Sequence, residues 1–327
     1  MRALFVAAES WPIAGAFRIA RGSKSEAQVI VASIADGAAR GRGECVPYAR
    51  YGESMDSVQA QIESVRGEIE RGLSREALHR ALPAGAARNA LDCALWDLEA
   101  KRARKPVHEL AGLPPPKPVA TAFTLGIDTP ARMGEAARTA GVRPILKLKL
   151  AGDADDLARV AAVREAVPQS KLIVDANEAF TRESLAALAP QLARLGVALI
   201  EQPLPANADE PLESFASPVP LCADESAHDR DTLGAVAGRY AYINIKLDKT
   251  GGFTEAIALA RAAHARGLKL MVGCMVATSL AMAPAVLLAQ DADWVDLDGP
   301  LLLSRDRDPG LRYDGALVYP PEAVLWG

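Results

Sequence analysis

A chain of 327 residues, half of them hydrophobic and with a formal charge of only −4, can bury one large core or two smaller ones; an α/β barrel takes ~250 residues, so a barrel with a smaller companion domain fits. No basic cluster interleaved with aromatic residues is present to hold a nucleic acid or an anionic membrane, which leaves a small molecule as the expected partner. Cys45, Cys93, Cys222 and Cys274 stand far apart with no Cys-x-x-Cys pair, against a zinc ribbon or a disulfide framework, and the apolar run Ala3 to Ala8 is too short for a signal sequence or membrane span, so a soluble, cytoplasmic protein is expected.

Strands are predicted over Met1 to Ala8, Ala27 to Ile34 and Gly41 to Cys45, forming a small antiparallel sheet. The stretches Pro12 to Lys24 and Pro47 to Glu53 read as loops whose polar and aromatic groups are placed to cover a site. Helices follow over Asp56 to Arg71 and Gly85 to Arg102; in the second, Ala87, Leu91, Ala94, Leu95 and Leu98 share one stripe at helical spacing and are assigned to the core. Leu113-Pro114-Pro115-Pro116-Lys117-Pro118 cannot continue a helix and reads as a stiff linker, which bounds an α+β capping domain at residues 1–115.

Eight strand-like runs come next: Val119 to Leu125, Ile145 to Leu150, Lys171 to Ala176, Val197 to Gln202, Val219 to Asp224, Tyr242 to Leu247, Lys269 to Cys274 and Trp294 to Asp298. Each but the last leads into an Ala- and Leu-rich helical stretch, and eight alternating βα units imply a modified (β/α)8 TIM-type barrel over residues 116–300. Residues 301–327 lack a helical period and are expected to return to the capping domain.

Charged residues end these strands at regular steps. From Lys149 to Asp175, Glu201, Asp224 and Lys246 the intervals are 26, 26, 23 and 22 residues, one strand plus one helix each time. In a barrel of this kind the loops at the carboxyl ends of the strands build the active site. Asp175, Glu201 and Asp224 would be neighbours around one mouth, and an oxygen-only set of carboxylates points to Mg²⁺, with Mn²⁺ as a substitute, rather than Zn²⁺. The histidines, His79, His108, His228 and His264, lie in helical or loop stretches, against a zinc hydrolase. Lys147 and Lys149 share one side of their strand and face Lys246 across the barrel. Ammonium groups held close, and partly buried, should lower the pKa of at least one of them. Lys24 and Lys249 read as solvated. A divalent ion with lysines on two faces suits removal of a proton α to a carboxylate, where an enediolate must be stabilised and a second base can return the proton to the opposite face.

The Lys-x-Lys strand, Asp175, Glu201, Asp224 and Lys246 together resemble the enolase superfamily, muconate-lactonising subgroup, over essentially the whole chain. The resemblance implies a capping domain over the barrel, Lys149 and Lys246 as the acid/base pair, and Asp175, Glu201 and Asp224 as metal ligands. Asp296 and Asp298 on the eighth strand resemble the aspartates with which dipeptide epimerases grip a free amino terminus. Ile19 to Ser23, Pro47 to Ser54 and Ala86 to Asp97 are similar to the bacterial L-Ala-D/L-Glu epimerases. That likeness implies a small dipeptide substrate, a pocket lined by Thr124, Lys147 and Cys274, and Arg21 as partner of the acidic side chain. A cycloisomerase, an o-succinylbenzoate-synthase-like enzyme or an N-acylamino acid racemase is the sibling alternative; a ligand-binding barrel without catalysis is the other.

Overall fold

The computed structural model describes residues 2–327, without the side chains of Ala16 and Phe17; Met1, where the first predicted strand begins, lies outside the described residues. Strands β1 (Arg2–Ile19), β2 (Gly22–Asp36) and β3 (Ala39–Cys45) form an antiparallel meander in that order. The predicted loop Pro12 to Lys24 is instead the far end of this sheet: the register shifts between Pro12 and Phe17, and pairing resumes to Ile19 and Gly22 as a hairpin arm. Its residues from Gly22 to Glu26 are exposed on both faces, so the apolar alternation that marks a half-buried strand is missing there.

Four helices pack behind the sheet or follow it: α1 (Met55–Ser64), α2 (Arg66–Glu70), α3 (Arg75–Ala81) and α4 (Ala86–Ala103), with the short α5 (Val107–Leu110) before the proline-rich linker. The single helix expected over Asp56 to Arg71 breaks at Val65, where the Ser64 hydroxyl donates to the Gln61 carbonyl in competition with the helical ladder. The predicted α4 stripe is buried, and so is nearly every other residue of α4 as far as Leu98, because this helix is covered by the cap sheet on one side and by the barrel on the other.

The run predicted as the first barrel strand divides into β4 (Val119–Ala120) and β5 (Phe123–Leu125), and only β5 joins the barrel. The remaining barrel strands are β6 (Ile145–Lys149), β7 (Lys171–Asp175), β8 (Val197–Glu201), β9 (Leu221–Ala223), β10 (Tyr242–Ile245), β11 (Lys269–Gly273) and β12 (Trp294–Asp296). They lie parallel in the order of the chain, as the βα alternation requires. No ladder joins β12 to β5; the Ala122 N–H donates to the Val295 carbonyl (2.8 Å) and the Leu297 N–H to the Thr121 hydroxyl (2.8 Å), so the ring nearly closes. The outer helices are α6 (Pro130–Thr139), α7 (Asp156–Ala166), α8 (Arg182–Arg194), α9 (Leu233–Val236), α10 (Leu247–Thr250), α11 (Phe253–His264) and α12 (Ser279–Leu288). The helix expected between β8 and β9 is absent: Pro203, Pro205, Pro211, Pro218 and Pro220 punctuate that connection and allow only a 3-10 turn at Glu210–Ser214.

Period-two alternation explains the barrel interior. Ile173, Leu199, Cys222, Tyr242 and Met271 form one apolar layer at its base. Two residues further along the same faces stand Asp175, Glu201, Asp224, Asn244 and Gly273, so each strand carries its next inward residue up to the mouth. Outward-facing Leu146, Leu148, Leu172, Val174, Ile200, Ile243, Leu270 and Val272 join the core shared with the helices. The C-terminal hairpin β13 (Tyr313–Asp314) and β14 (Leu317–Val318) pairs with β4. Beyond it, the Arg42 guanidinium donates to the Val324 and Leu325 carbonyls, the Trp326 indole to the Cys93 carbonyl, and the Gly327 N–H to Asp97, which seats the chain end on β3 and α4. No helix among the described residues is long and apolar enough to cross a membrane.

Candidate active site

All eleven residues singled out in the sequence come together at the barrel mouth. Arg21, Thr124, Lys147, Lys149, Asp224, Lys246, Cys274, Asp296 and Asp298 line a cavity of ≈ 460 Å³ between the mouth and the hairpin arm. Asp175 and Glu201 lie beneath, fully buried and in contact with Lys147. β6 and β10 are four strands apart in a ring of eight, so Lys149 and Lys246 face each other across the cavity.

The charges are paired. Lys147 Nζ is 2.8 Å from Asp296 Oδ2, 3.1 Å from Asp175 Oδ2 and 2.7 Å from Glu201 Oε2. The last contact is too poorly aligned for a hydrogen bond, which leaves Glu201 Oε2 buried without a hydrogen-bond partner. Lys149 Nζ donates to Asp175 Oδ2 (2.5 Å) and Lys246 Nζ to Asp224 Oδ2 (2.7 Å). Among the described residues no three His, Cys, Asp or Glu side chains converge as an ion-holding group; the carboxylates turn toward the ammoniums. The Asp298 carboxylate accepts the Thr124 N–H at 2.6 Å, and the Thr124 hydroxyl lies 3.4 Å from Asp296.

At Lys147 and Lys246 this pairing acts against the expected lowering of a lysine pKa by crowded ammoniums. Burial pulls Lys147 and Lys246 down, but the facing carboxylates, Asp296 and Glu201 for Lys147 and Asp224 for Lys246, hold both well above the ordinary value. Carboxylates outnumber ammoniums here, and two of them are pushed up even with Lys147 nearby. Burial, then the neighbouring Asp175, pushes Glu201 up to about 7, and burial, then Asp296, pushes Asp298 up to about 7.

Four residues that the sequence left unassigned hold the site. Lys249, read as solvated, is buried, with its ammonium donating to Asp224 Oδ1 (2.6 Å), to the Asn244 carbonyl (2.9 Å) and to the Asp224 carbonyl. The turn of α10 sends its side chain back into the barrel, and a Lys-x-x-Lys spacing across a strand end was the available signal. Asn244 donates to Glu201 Oε1 (2.8 Å), and a Cβ on Gly273 would stand 2.6 Å from Asn244 Oδ1, so only glycine fits there. The Gln202 amide oxygen accepts the Asp224 and Ser226 N–H groups, and its nitrogen donates to Tyr240 and Ser226. Asn177 (φ 44°), Glu178 (φ 70°) and Gln202 (φ 33°) adopt left-handed backbone just past the strands that end in Asp175 and Glu201. Such geometry costs about 1–3 kcal/mol per residue and persists only where surrounding bonds enforce it, as those of Gln202 do. Glu225 is the fourth, buried between Asp224 and Arg21 with one oxygen unpartnered.

Arg21 reaches the cavity wall already engaged: its guanidinium donates to Glu225 (2.7 Å), Glu178 (3.2 Å), the Tyr48 hydroxyl (3.0 Å) and the Asn177 carbonyl (3.0 Å). Arg50 adds a two-pronged contact to Glu178, at 2.7 Å each. Lys24 differs. It lines the same cavity with its ammonium over the Tyr48 ring and has no ion pair among the described residues. Cys274 is half-buried on the cavity wall, and burial pushes its thiol well above the ordinary range.

Comparison with known proteins agrees with this geometry. Residues 1–112 match the mandelate racemase/muconate lactonizing enzyme N-terminal domain, and residues 130–323 match the enolase C-terminal domain-like family. The chain is 52% identical over 316 residues to the L-Ala-D/L-Glu epimerase of Escherichia coli, covering 96% of this chain and 98% of that protein. It is 48% identical over 301 residues to the N-acetyl-D-glutamate racemase of a Pseudoalteromonas species, covering 91% and 95%. Among solved structures, an enolase family member from Agrobacterium tumefaciens with homology to dipeptide epimerases, bound to sodium and L-Ala-L-Glu, superimposes with a TM-score of 0.98 at 48% identity over 100% of both chains. The dipeptide epimerase of Methylococcus capsulatus, complexed with Mg and L-Arg-D-Lys, does so with a TM-score of 0.91 at 29% identity, over 98% of this chain and 97% of that one. A cap sheet and helices over a nearly closed eight-stranded parallel barrel, with lysines on opposite walls and carboxylates on successive strand ends, thus belong to a chain that is a member of the enolase superfamily, in its mandelate racemase/muconate lactonizing enzyme family.

Proposed function

We propose that this chain is a dipeptide epimerase that inverts the α-carbon of the C-terminal residue of L-Ala-D/L-Glu. The observation that carries the reading is the pair Lys149 and Lys246 on opposite walls of one cavity that also holds Asp296 and Asp298. Either lysine, as the neutral amine, takes the α-proton from the face it meets, Lys246 reaching that state only when Asp224 is engaged by another cation; the other, as the ammonium, donates a proton to the opposite face, and the centre is inverted. Lys147, surrounded by carboxylates, stays charged and serves as a fixed cation beneath the enediolate.

Asp175, Glu201 and Asp224 fit Mg²⁺ or Mn²⁺. They offer only oxygen donors from neighbouring strand ends, and one buried Glu201 oxygen has no hydrogen bond and is free to meet an ion. When bound, the ion supplies Lewis-acid stabilisation of the charge that develops on the substrate carboxylate.

Asp296 and Asp298 would receive the amino terminus. The upward shift of Asp298 marks a carboxylate pair that lacks a second cation, which a substrate ammonium brings. The acidic side chain would meet Lys24 rather than Arg21, because the Arg21 guanidinium is occupied by Glu225 and Glu178 while Lys24 has no ion pair among the described residues; Arg21 then holds the arm in place.

The N-acetylglutamate-racemising relative favours a second reading in which the amino end is blocked. A direct comparison of kcat/KM on Ala-Glu and N-acetyl-Ala-Glu separates the two. Loss of a hydrogen-bonded charge partner costs ~2 to 5 kcal/mol, so the acetylated compound should react about 30-fold or more slowly. Asp298→Asn should reduce turnover of free Ala-Glu similarly and that of the acetylated compound much less. Equal rates on both compounds would favour the N-acylamino acid reading.

A further inference from the structure

The segment that carries Lys246 is gripped by the capping domain. Lys246 stands at the N-terminal end of α10, which ends at Gly251 in left-handed backbone (φ 74°), and α11 begins at Phe253. Three buried residues of the cap helix α4 hold that turn. The Arg88 guanidinium donates to the Thr250 carbonyl (2.7 Å) and the Gly251 carbonyl (3.0 Å). Asn89 donates to Asp248 Oδ1 (2.8 Å), which also accepts the Val46 N–H (3.0 Å) from the end of the cap sheet. Asp92 accepts the Thr254 N–H (2.9 Å) and hydroxyl (2.6 Å) at the first turn of α11, and the Trp96 indole donates to the same hydroxyl (2.9 Å). The fit leaves no slack: a Cβ on Gly252 would stand 2.5 Å from Asp92 Cβ, and one on Gly251 2.5 Å from Arg88 Nε.

Among the described residues no cap side chain bonds the segment that carries Lys149; on this wall Arg21 and Arg50 reach only the loop beyond its partner Asp175, at Asn177 and Glu178. Lys149 is the last residue of β6, in register with Asp175 on β7, and the chain after it is fixed by the Leu150 N–H to the Asp175 carbonyl (2.9 Å) and by Asp156, which accepts the Ala151 (2.9 Å) and Gly152 (2.8 Å) N–H groups. Those partners all belong to the barrel.

We infer that Arg88, Asn89 and Asp92 are positioning residues for Lys246 alone, so that the capping domain sets the geometry of one of the two bases as well as covering the substrate. This rests on the two-base reading above. A base displaced by a fraction of its reach loses rate steeply while its opposite keeps its own, so a defect in the clamp should act on one epimer.

The test follows loss of the α-hydrogen in deuterated, magnesium-saturated buffer, from L-Ala-L-Glu and L-Ala-D-Glu separately. Lys246→Ala first identifies the epimer that still exchanges, the one served by Lys149. In Arg88→Met, exchange from the Lys246-served epimer should fall about tenfold or more, with exchange from the other within about twofold of wild type and increasingly uncoupled from inversion. Asn89→Ala, which removes a single contact, should show the same asymmetry at smaller amplitude, and Arg88→Lys should restore part of it. Equal slowing of both epimers in Arg88→Met and Asn89→Ala, with Lys246→Ala remaining epimer-selective, overturns this inference alone. Exchange from both epimers in Lys246→Ala overturns the two-base reading and this inference with it.

Discussion

The walls carrying Lys149 and Lys246 have equivalent places in the barrel and unlike means of support. Lys149 is a strand residue whose position follows from the register of β6 on β7, with one carboxylate, Asp175, in reach. Lys246 lies past the end of β10, where the ladder no longer fixes the chain; Asp224 meets it in the barrel, Lys249 anchors Asp224, and the cap helix holds the turn beyond. A strand end is rigid by itself, whereas a base on a turn needs contacts from elsewhere, so the second wall ties catalysis to the docking of two domains.

The largest expected effect on this contrast comes from Asp224→Asn, which weakens the partner of both Lys246 and Lys249 and removes a charged oxygen donor from the proposed ion site. Turnover should fall by about 10³ or more, as when a metal-organising charge is lost, and a Mg²⁺ titration should show weakened activation. Undiminished activity, or full activity of the wild type after exhaustive chelation, contradicts the ion site.

Lys249→Met separates the walls by stability. It leaves the Asp224 carboxylate short of a buried partner, and breaking a buried ion pair in this way costs about 3–5 kcal/mol. Denaturant unfolding should register that loss, while Lys149→Met should cost much less: each carboxylate keeps a second lysine, Lys246 for Asp224 and Lys147 for Asp175, but only Lys249 also satisfies two buried backbone carbonyls, of Asn244 and Asp224. Equal destabilisation would mean that the second wall is no more dependent on its anchors than the first.

Lys24→Met should have the smallest effect, lowering kcat/KM for Ala-Glu about tenfold, within the range of one charge-assisted contact at a partly open site, and leaving a dipeptide with an uncharged C-terminal side chain nearly unchanged. If Arg21→Met rather than Lys24→Met produced that selective loss, with the arm still ordered, the acidic side chain would belong to Arg21.

The difference between the walls also explains what could be read from the sequence. Period-two alternation and the steady βα step place Lys147, Lys149, Asp175, Glu201 and Asp224 at one mouth, because strand geometry translates spacing directly into direction. Lys249 escaped that reading because its direction depends on the turn of α10, not on a strand period. The hairpin arm escaped because its exposed faces carry no apolar alternation, and the engagement of Arg21 by Glu178 and Glu225 joins residues 157 and 204 positions apart, which no local pattern encodes. The helix wrongly expected between β8 and β9, by contrast, had a local signal against it in its prolines, which the βα step overrode.

The most direct test of two-base inversion is α-hydrogen exchange by Lys149→Ala and Lys246→Ala, each assayed in deuterated buffer with L-Ala-L-Glu and L-Ala-D-Glu. Each variant should lose epimerisation altogether and retain exchange from one epimer only, a different epimer for each. Normal epimerisation by either variant, or survival of exchange from the same epimer in both, would contradict the assignment of one lysine to each face.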